Sequence, residues 1–474
     1  MEPKPTGMKL PMWAKVLMAL VTVVLLGMGT IYLMGISERG RWERYAATLR
    51  EAGEPLTFAE IEARRADVPD ERNSALVIEA VLEKFPPDDD PPPYVLVLGV
   101  DAPEVDLFKG IPRYAIEDSR VFLEKHQPLL DALRPVLKMP TGRFSVAHAK
   151  NPLNTLLPNL HGSRTAARLA RLDTILRLVD GDAGGAVDAT ILQRHIAGSL
   201  NEIPSFLSHL VQRACDRVAL ESVEDVLHAV AAPEADLVRL RDAIAARRLG
   251  NPMLWSMWSE RAFAVETLDL CASGELTVAE LRDLGFTGPS ILGMNPLPEF
   301  TVRKNQILAV ELLTRLVDAG EDLHAMREAA VQSNTEVDRL SDSYFLTKTI
   351  VWGPERAVYL QIKHNAILDC TLAGIAAERF RLANRRWPAS LDQLVPTYLD
   401  QVPADPFAEG QPLKLATTDQ GIVIYSIGDD GIDDGGQVAA EQNQRVGPDL
   451  GFRLLDPEHR GVVITDEPRP EEGD

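Results

Sequence analysis

The sequence predicts a mainly α-helical protein: an N-terminal transmembrane helix, a body of helical hairpins, and a small α+β C-terminal domain of one long helix and a small antiparallel sheet. Three observations predict it. Residues 16–36 form a run without charge, helical apolar stripes succeed one another between 118 and 385, and beyond 410 the alternation becomes two-residue. At 474 residues the chain exceeds one ordinary core. The expected division is a cytoplasmic tail and anchor at 1–36, a stalk with a Pro/Asp-rich linker at 37–117, a helical domain at 118–350, and an α+β domain with an acidic tail at 353–474.

The uncharged run VLMALVTVVLLGMGTIYLMGI covers 21 residues, a rise of roughly 31 Å, enough to cross a hydrocarbon core. Trp13 and Tyr32 sit near its ends, where amphipathic rings favour the interface. Gly27 and Gly29 could mimic a signal-peptidase site, but the apolar run continues past them, so an uncleaved anchor is expected. Lys4, Lys9 and Lys15 before the run nearly balance Arg39, Arg41, Arg44 and Arg50 after it, so charge bias does not set orientation. The short N-terminal tail favours a signal anchor with an extracytoplasmic body.

After the anchor, 38–80 reads as helices, with Thr57 and Glu60 spaced as a capping box. The segment FPPDDDPPP at 85–93 reads as linker or exposed loop. In 161–179, Ala167, Leu169, Leu172, Ile175, Leu176 and Val179 form one amphipathic stripe, ended by the Gly/Asp turn at 181–185. A helix at 186–200 follows, a third begins at Pro204, and a fourth spans 223–230. Such helices with short joints form antiparallel pairs, and no 34-residue recurrence marks a repeat array. Thr277 and Glu280 make a second capping box, and 286–300 reads as a long loop. A long helix is expected over 358–382, then a short helix capped by Ser390 with Gln393. Strands are expected at 413–416, 421–425, 451–455 and 462–465, with a turn at 418–421.

The formal net charge of −21 argues against nucleic acid as a partner. Between 400 and 474, 17 acidic residues face 5 basic ones, which places much of the excess at one end. Cys215, Cys271 and Cys370 lie far apart, which excludes a zinc ribbon and favours three buried thiols. The nine histidines show no metal-ligand spacing, and no nucleophile elbow, phosphate-binding loop or dinucleotide fingerprint occurs. His161 with Arg164, Arg168 and Arg171 could outline a phosphate site, and His195 lies nearby, but a solvated face with a satisfied histidine is the plainer reading. Trp255, Trp258 and Trp352 read as packing aromatics, with an exposed Trp255/Trp258 face as a possible docking surface.

The C-terminal residues carry a resemblance. A long helix precedes Trp387-Pro388-Ala-Ser390-Leu391, then Pro403-Ala-Asp405-Pro406-Phe407 and Gly410-Gln-Pro412-Leu413. Tyr425-Ser426-Ile427-Gly428-Asp429-Asp430-Gly431, Asp434-Gly435-Gly436 and Asp449-Leu450 follow. Over residues 358–452 this order resembles the C-terminal half of the major pseudopilins of type II secretion (general secretion pathway protein G). It is also similar to membrane-anchored bacterial proteins with a pseudopilin-like tail. Residues 37–350 have no pseudopilin counterpart, and the N-terminus lacks a prepilin cleavage site and the Glu inside its apolar helix. The resemblance implies a bacterial inner membrane and a calcium-holding acidic loop, in which Asp430 and Asp449 match family positions. The residues are compatible: Asp429, Asp430, Asp433 and Asp434, interleaved with glycines, supply the oxygens calcium takes. Those four and Asp449 are the candidate metal ligands, with solvated surface acids as the alternative.

The function expected is a membrane-anchored, extracytoplasmic scaffold or interaction protein. It would be tethered through 16–36, with envelope proteins as partners and calcium stabilising its tail. An envelope hydrolase using dispersed residues of the helical domain, or an accessory of type II secretion, are the alternatives.

Overall fold

A computed structural model describes residues 11–84, 91–99, 102–103, 105–107, 109–157, 159–246, 252–283, 297–351, 353–438 and 449–470. The linker at 85–90, most of the loop expected over 286–300, Trp352, residues 439–448 and the last four residues lie outside them. Mainly helical architecture with a small three-stranded antiparallel sheet near the C-terminus is observed, as the sequence predicts.

The segments expected as anchor and first stalk helix are one element. Helix α1, Met12–Glu51, runs unbroken for 40 residues and ends where Ala52 and Gly53 (φ +82°) turn the chain. Its apolar window is long and hydrophobic enough to cross a membrane, and none of that window is buried within the protein. Contact with the body starts where the apolar run stops. A Cβ at Gly35 would lie 3.6 Å from Glu299, and Arg39 grips the Glu299 carboxylate through two bonds of 2.7 and 2.6 Å. Trp42, Ala46 and Leu49, spaced i, i+4, i+7, then bury one face of α1.

Short elements follow: α2 (Phe58–Glu62), α3 (Ser74–Leu82), strand β1 (Ile111–Pro112) and α4 (Arg113–Leu133). The Thr57/Glu60 capping box forms as expected, and Glu60 also accepts from the Leu56 amide at 2.6 Å. Helices α5 (Asn159–Val179), α6 (Ala183–Ser199) and α7 (Phe206–Ala229) pack mutually, and the predicted α5 stripe is buried at Ala167, Leu169, Leu172, Ile175 and Leu176. Asp182 caps α6 by accepting from the Gly185 amide at 2.9 Å. The break expected before 223 does not exist. With neither Gly nor Pro between Ser205 and Ala229, nothing interrupts the i→i+4 ladder, and the third and fourth helices are one.

After α8 (Glu234–Ala245), α9 (Pro252–Ser273) and α10 (Val278–Asp283) come α11 (Glu299–Asp318), α12 (Leu323–Arg339), α13 (Phe345–Ile350) and α14 (Pro354–Asn384). The second capping box forms at α10, where Glu280 accepts from the Thr277 amide at 2.8 Å. Helix α11 rises beside α1 in the same direction, since Gly35 meets Glu299 and Tyr45 meets Thr314. Its 20 residues carry the chain roughly 30 Å from the level of Gly35. Gly320 (φ +60°) reverses the chain into α12. Helix α14 then runs outward again, because Asn334 bonds Glu355 at 2.9 Å while Arg327 sits over the Tyr359 ring.

Strands β2 (Lys414–Thr418), β3 (Gly421–Ser426) and β4 (Leu450–Leu455) form the antiparallel sheet, packed on α14. Gly374 permits that packing, because a Cβ there would fall 2.4 Å from the Phe452 ring. The fourth expected strand is shorter and leaves the sheet. As β5 (Ile464–Thr465) it pairs in parallel with β1, 353 residues back at Ile111↔Ile464. The expected Ser390 cap is only half realised: Ser390 Oγ meets Asp392 at 3.4 Å, while Gln393 reaches back to the Ala389 amide at 3.1 Å. The largest apolar core contains side chains of α5–α8, α14 and the sheet together. Cys215, Cys271 and Cys370 are free and buried.

Candidate functional site

The acidic loop follows β3 directly, so Asp429 to Asp434 lie at the sheet's end. Asp433 sits between three donors: Lys414 Nζ at 2.5 Å and Tyr425 Oη and the Gly435 amide at 3.0 Å each. The Lys414 bond and that amide hold the Asp433 carboxyl below the usual carboxylate range. Asp449 is fully buried, and its two oxygens accept from the Gly436 amide at 2.7 Å and the Asp434 amide at 3.4 Å. Burial first, then the Asp433 and Asp434 charges, push its pKa up against those bonds. Asp430 accepts from the Ile432 amide at 2.9 Å and is exposed, as is Asp429, which faces Tyr359 and Lys363. Asp434 is half-buried. Two of the five expected ligands thus have both oxygens occupied by protein donors. Among the described residues, the trio of acids and histidine whose ligand atoms come within 4.8 Å of one another is Asp456, Glu458 and His459, on the surface. Of these, Asp456 already accepts from the Trp387 indole at 2.7 Å.

Behind the loop lies an anchor that sequence reasoning passed over. Asp405, 3% exposed, accepts from Ser426 Oγ at 2.6 Å and from the amides of Ile427 and Phe407 at 2.9 Å each. It pins the start of the acidic loop to the Pro403–Phe407 segment. Its signal was its place between two apolar segments, where a carboxylate needs several donors to stay buried.

The helical body holds charges that no local pattern announces. Arg194 and Asp216 form an ion pair with side chains 1% exposed, joined by Gln212 at 2.9 Å and by His364 at 3.5 Å. Arg171, read from sequence as part of a possible phosphate face, turns inward to Asp225 at 3.2 Å. His195 is buried with Nδ1 2.8 Å from the Val136 carbonyl, while His161 is exposed. That phosphate face is therefore not assembled. Trp255 and Trp258 meet edge to face at 5.2 Å against Phe58, Ile61 and Ala262, an internal joint rather than a docking surface.

Glu260 on α9 has its pKa raised to about 7 by burial alone. The folded state then binds more protons than the unfolded one between the ordinary glutamate value and 7, so stability falls as pH rises through that window. Glu260→Gln removes the ionisation and is expected to stabilise the protein at pH 8 by about 1–3 kcal/mol, discounted for partial solvent contact, and to change little at pH 4. Chemical denaturation at the two pH values measures it. Equal effects at both would show that Glu260 ionises freely.

Comparison with known protein families, with characterised proteins and with solved structures yields no match.

Proposed function

We propose that the chain is a membrane-tethered scaffold whose body stands outside the cytoplasm of a bacterial cell and presents its distal α+β tail to envelope partners. The observation that carries this reading is the continuity of α1. A helix bare over its apolar half is clamped over its polar half by Arg39–Glu299 and by Trp42, Ala46 and Leu49. A joint without a flexible hinge transmits the tether's position to the body, and the α11, α12, α14 zigzag sets the tail far from the anchor. Such geometry suits holding a surface at a fixed height. Topology is testable with a single introduced thiol, because all three native cysteines are buried. Val121→Cys, at a 71% exposed site, should react with a membrane-impermeant maleimide in cells with a permeabilised outer membrane. Labelling only after the inner membrane is opened would place the body in the cytoplasm. In-cell crosslinking through the tail should recover specific envelope proteins, and recovery of none would remove the scaffold reading.

A calcium-stabilised tail is the second reading, favoured by the raised pKa of Asp449 beside Asp433 and Asp434. Burial raises it most and the Asp433 and Asp434 charges add to it, and a cation would relieve the latter. On this reading calcium raises the melting temperature of the full chain in detergent, and Asp430→Ala abolishes the rise. Identical melts with calcium and with chelator would leave Lys414 as the loop's counter-charge.

A further inference from the structure

We propose that the junction of α7, α12, α14 and the loop after β3 is a binding site for the phosphoryl group of a soluble ligand, built from Arg213, Arg327, Arg356 and Lys363 around Tyr359. The chain carries a net charge of −21, yet here cations gather. The Arg327 and Arg356 guanidiniums lie 5.2 and 5.1 Å from the centroid of the same Tyr359 ring. Lys363 follows Tyr359 by one helical turn, and Arg213 on the facing helix lies within electrostatic reach of Arg356. Two acids face the group: Asp429 beside Tyr359 and Lys363, and Asp216 within electrostatic reach of Arg213.

Three details make this a site rather than a solvated basic face. First, Arg213, Arg327 and Arg356 have no carboxylate within ion-pair distance among the described residues, although the chain pairs most of its other arginines. Second, the Nε atoms of Arg213 and Arg327 are buried and unbonded, and the buried Tyr359 hydroxyl faces Asp429. A buried polar group without a partner is costly, and an oxyanion would supply the acceptor for these two guanidinium donors. Third, Arg356 is exposed, which leaves the group open to solvent. The ring stacked by guanidiniums holds their planar forks in place, the preorganisation that favours bidentate contact with phosphate.

The height of the site selects the source of the phosphate. Arg327 lies one turn into α12, at the end of the α11–α12 hairpin remote from Gly35, roughly 20 Å beyond the level where the body leaves the apolar helix. Lipid headgroups do not reach it, so the ligand is soluble.

The test is calorimetric titration of the full-length protein with inorganic phosphate at fixed ionic strength. The protein is reconstituted in neutral phosphatidylcholine vesicles and in vesicles containing phosphatidylglycerol. Saturable binding of equal affinity in both membranes is expected. Arg327→Gln combined with Arg356→Gln should weaken it by at least about tenfold, and Tyr359→Phe by a few-fold, with the phosphate-free melting temperature nearly unchanged. Since Arg356 is exposed and Arg327 half-buried, the melting temperature of the double variant separates lost binding from lost folding. Absence of saturable binding, or equal affinity in the double variant, overturns the site. Displacement of phosphate by the anionic lipid overturns its soluble source.

Discussion

Asp216→Ala is expected to destabilise the helical body by about 3–5 kcal/mol, because it leaves the Arg194 guanidinium buried without its counter-charge. Both side chains are 1% exposed, and among the described residues Arg194 then keeps the Ile244 carbonyl, at 3.0 Å, as its partner. Gln212 and His364 lose an acceptor in the same stroke. The physical claim concerns the unpaired charge rather than the worth of the pair. A double variant, Arg194→Met with Asp216→Leu, should therefore recover much of the loss. Denaturant unfolding of the two variants and the parent measures it. If the double variant is at least as unstable as Asp216→Ala, the cost lies in packing and the charge argument fails.

Asp405→Ala is expected to loosen the tail by about 3–5 kcal/mol, the combined cost of leaving Ser426 Oγ and the amides of Ile427 and Phe407 without an acceptor. Since these donors span the exit of β3, the loss should be local. Amide exchange should quicken at 421–428, while α5 and α6 keep their protection. Asp405→Asn preserves shape but turns an amino group toward donors, so it should fall between parent and alanine variant. Unchanged exchange in β3 would mean that the sheet and α14 hold the segment without Asp405.

The parts of the fold that were legible in the sequence rest on short-range physics. The Thr57/Glu60 and Thr277/Glu280 boxes formed because both partners lie within one helical turn. The α5 stripe was readable because five of its six named residues are buried on one helix. The turn at 418–421 was legible because Gly421 takes φ +151° between two alternating segments. The break expected before 223 did not form because no Gly or Pro between Ser205 and Ala229 interrupts the helix.

Of the candidate site, the sequence disclosed the acids but not their partners. Asp433 and Asp449 were recognisable as carboxylates in a glycine-rich loop. That Lys414 would neutralise one, and two backbone amides satisfy the other, depends on how β2 and β4 flank the loop. Likewise Arg171 reads as a surface residue on helical spacing until α7 brings Asp225 against it.

By itself the sequence determined an uncharged helix long enough to cross a membrane, the alternation of helices and turns, and the change to strands near the C-terminus. Each follows from preferences acting within about one to five turns of chain. The tertiary structure alone decided that α1 runs unbroken into the body and is clamped there by Glu299, 260 residues away. It also decided that β5 pairs with β1 rather than with the sheet, and that Arg327 and Arg356, from two helices, lie over one Tyr359 ring. Those pairings join residues with no periodic relation. Their stability comes from burial and charge compensation that exist only once the helices have packed.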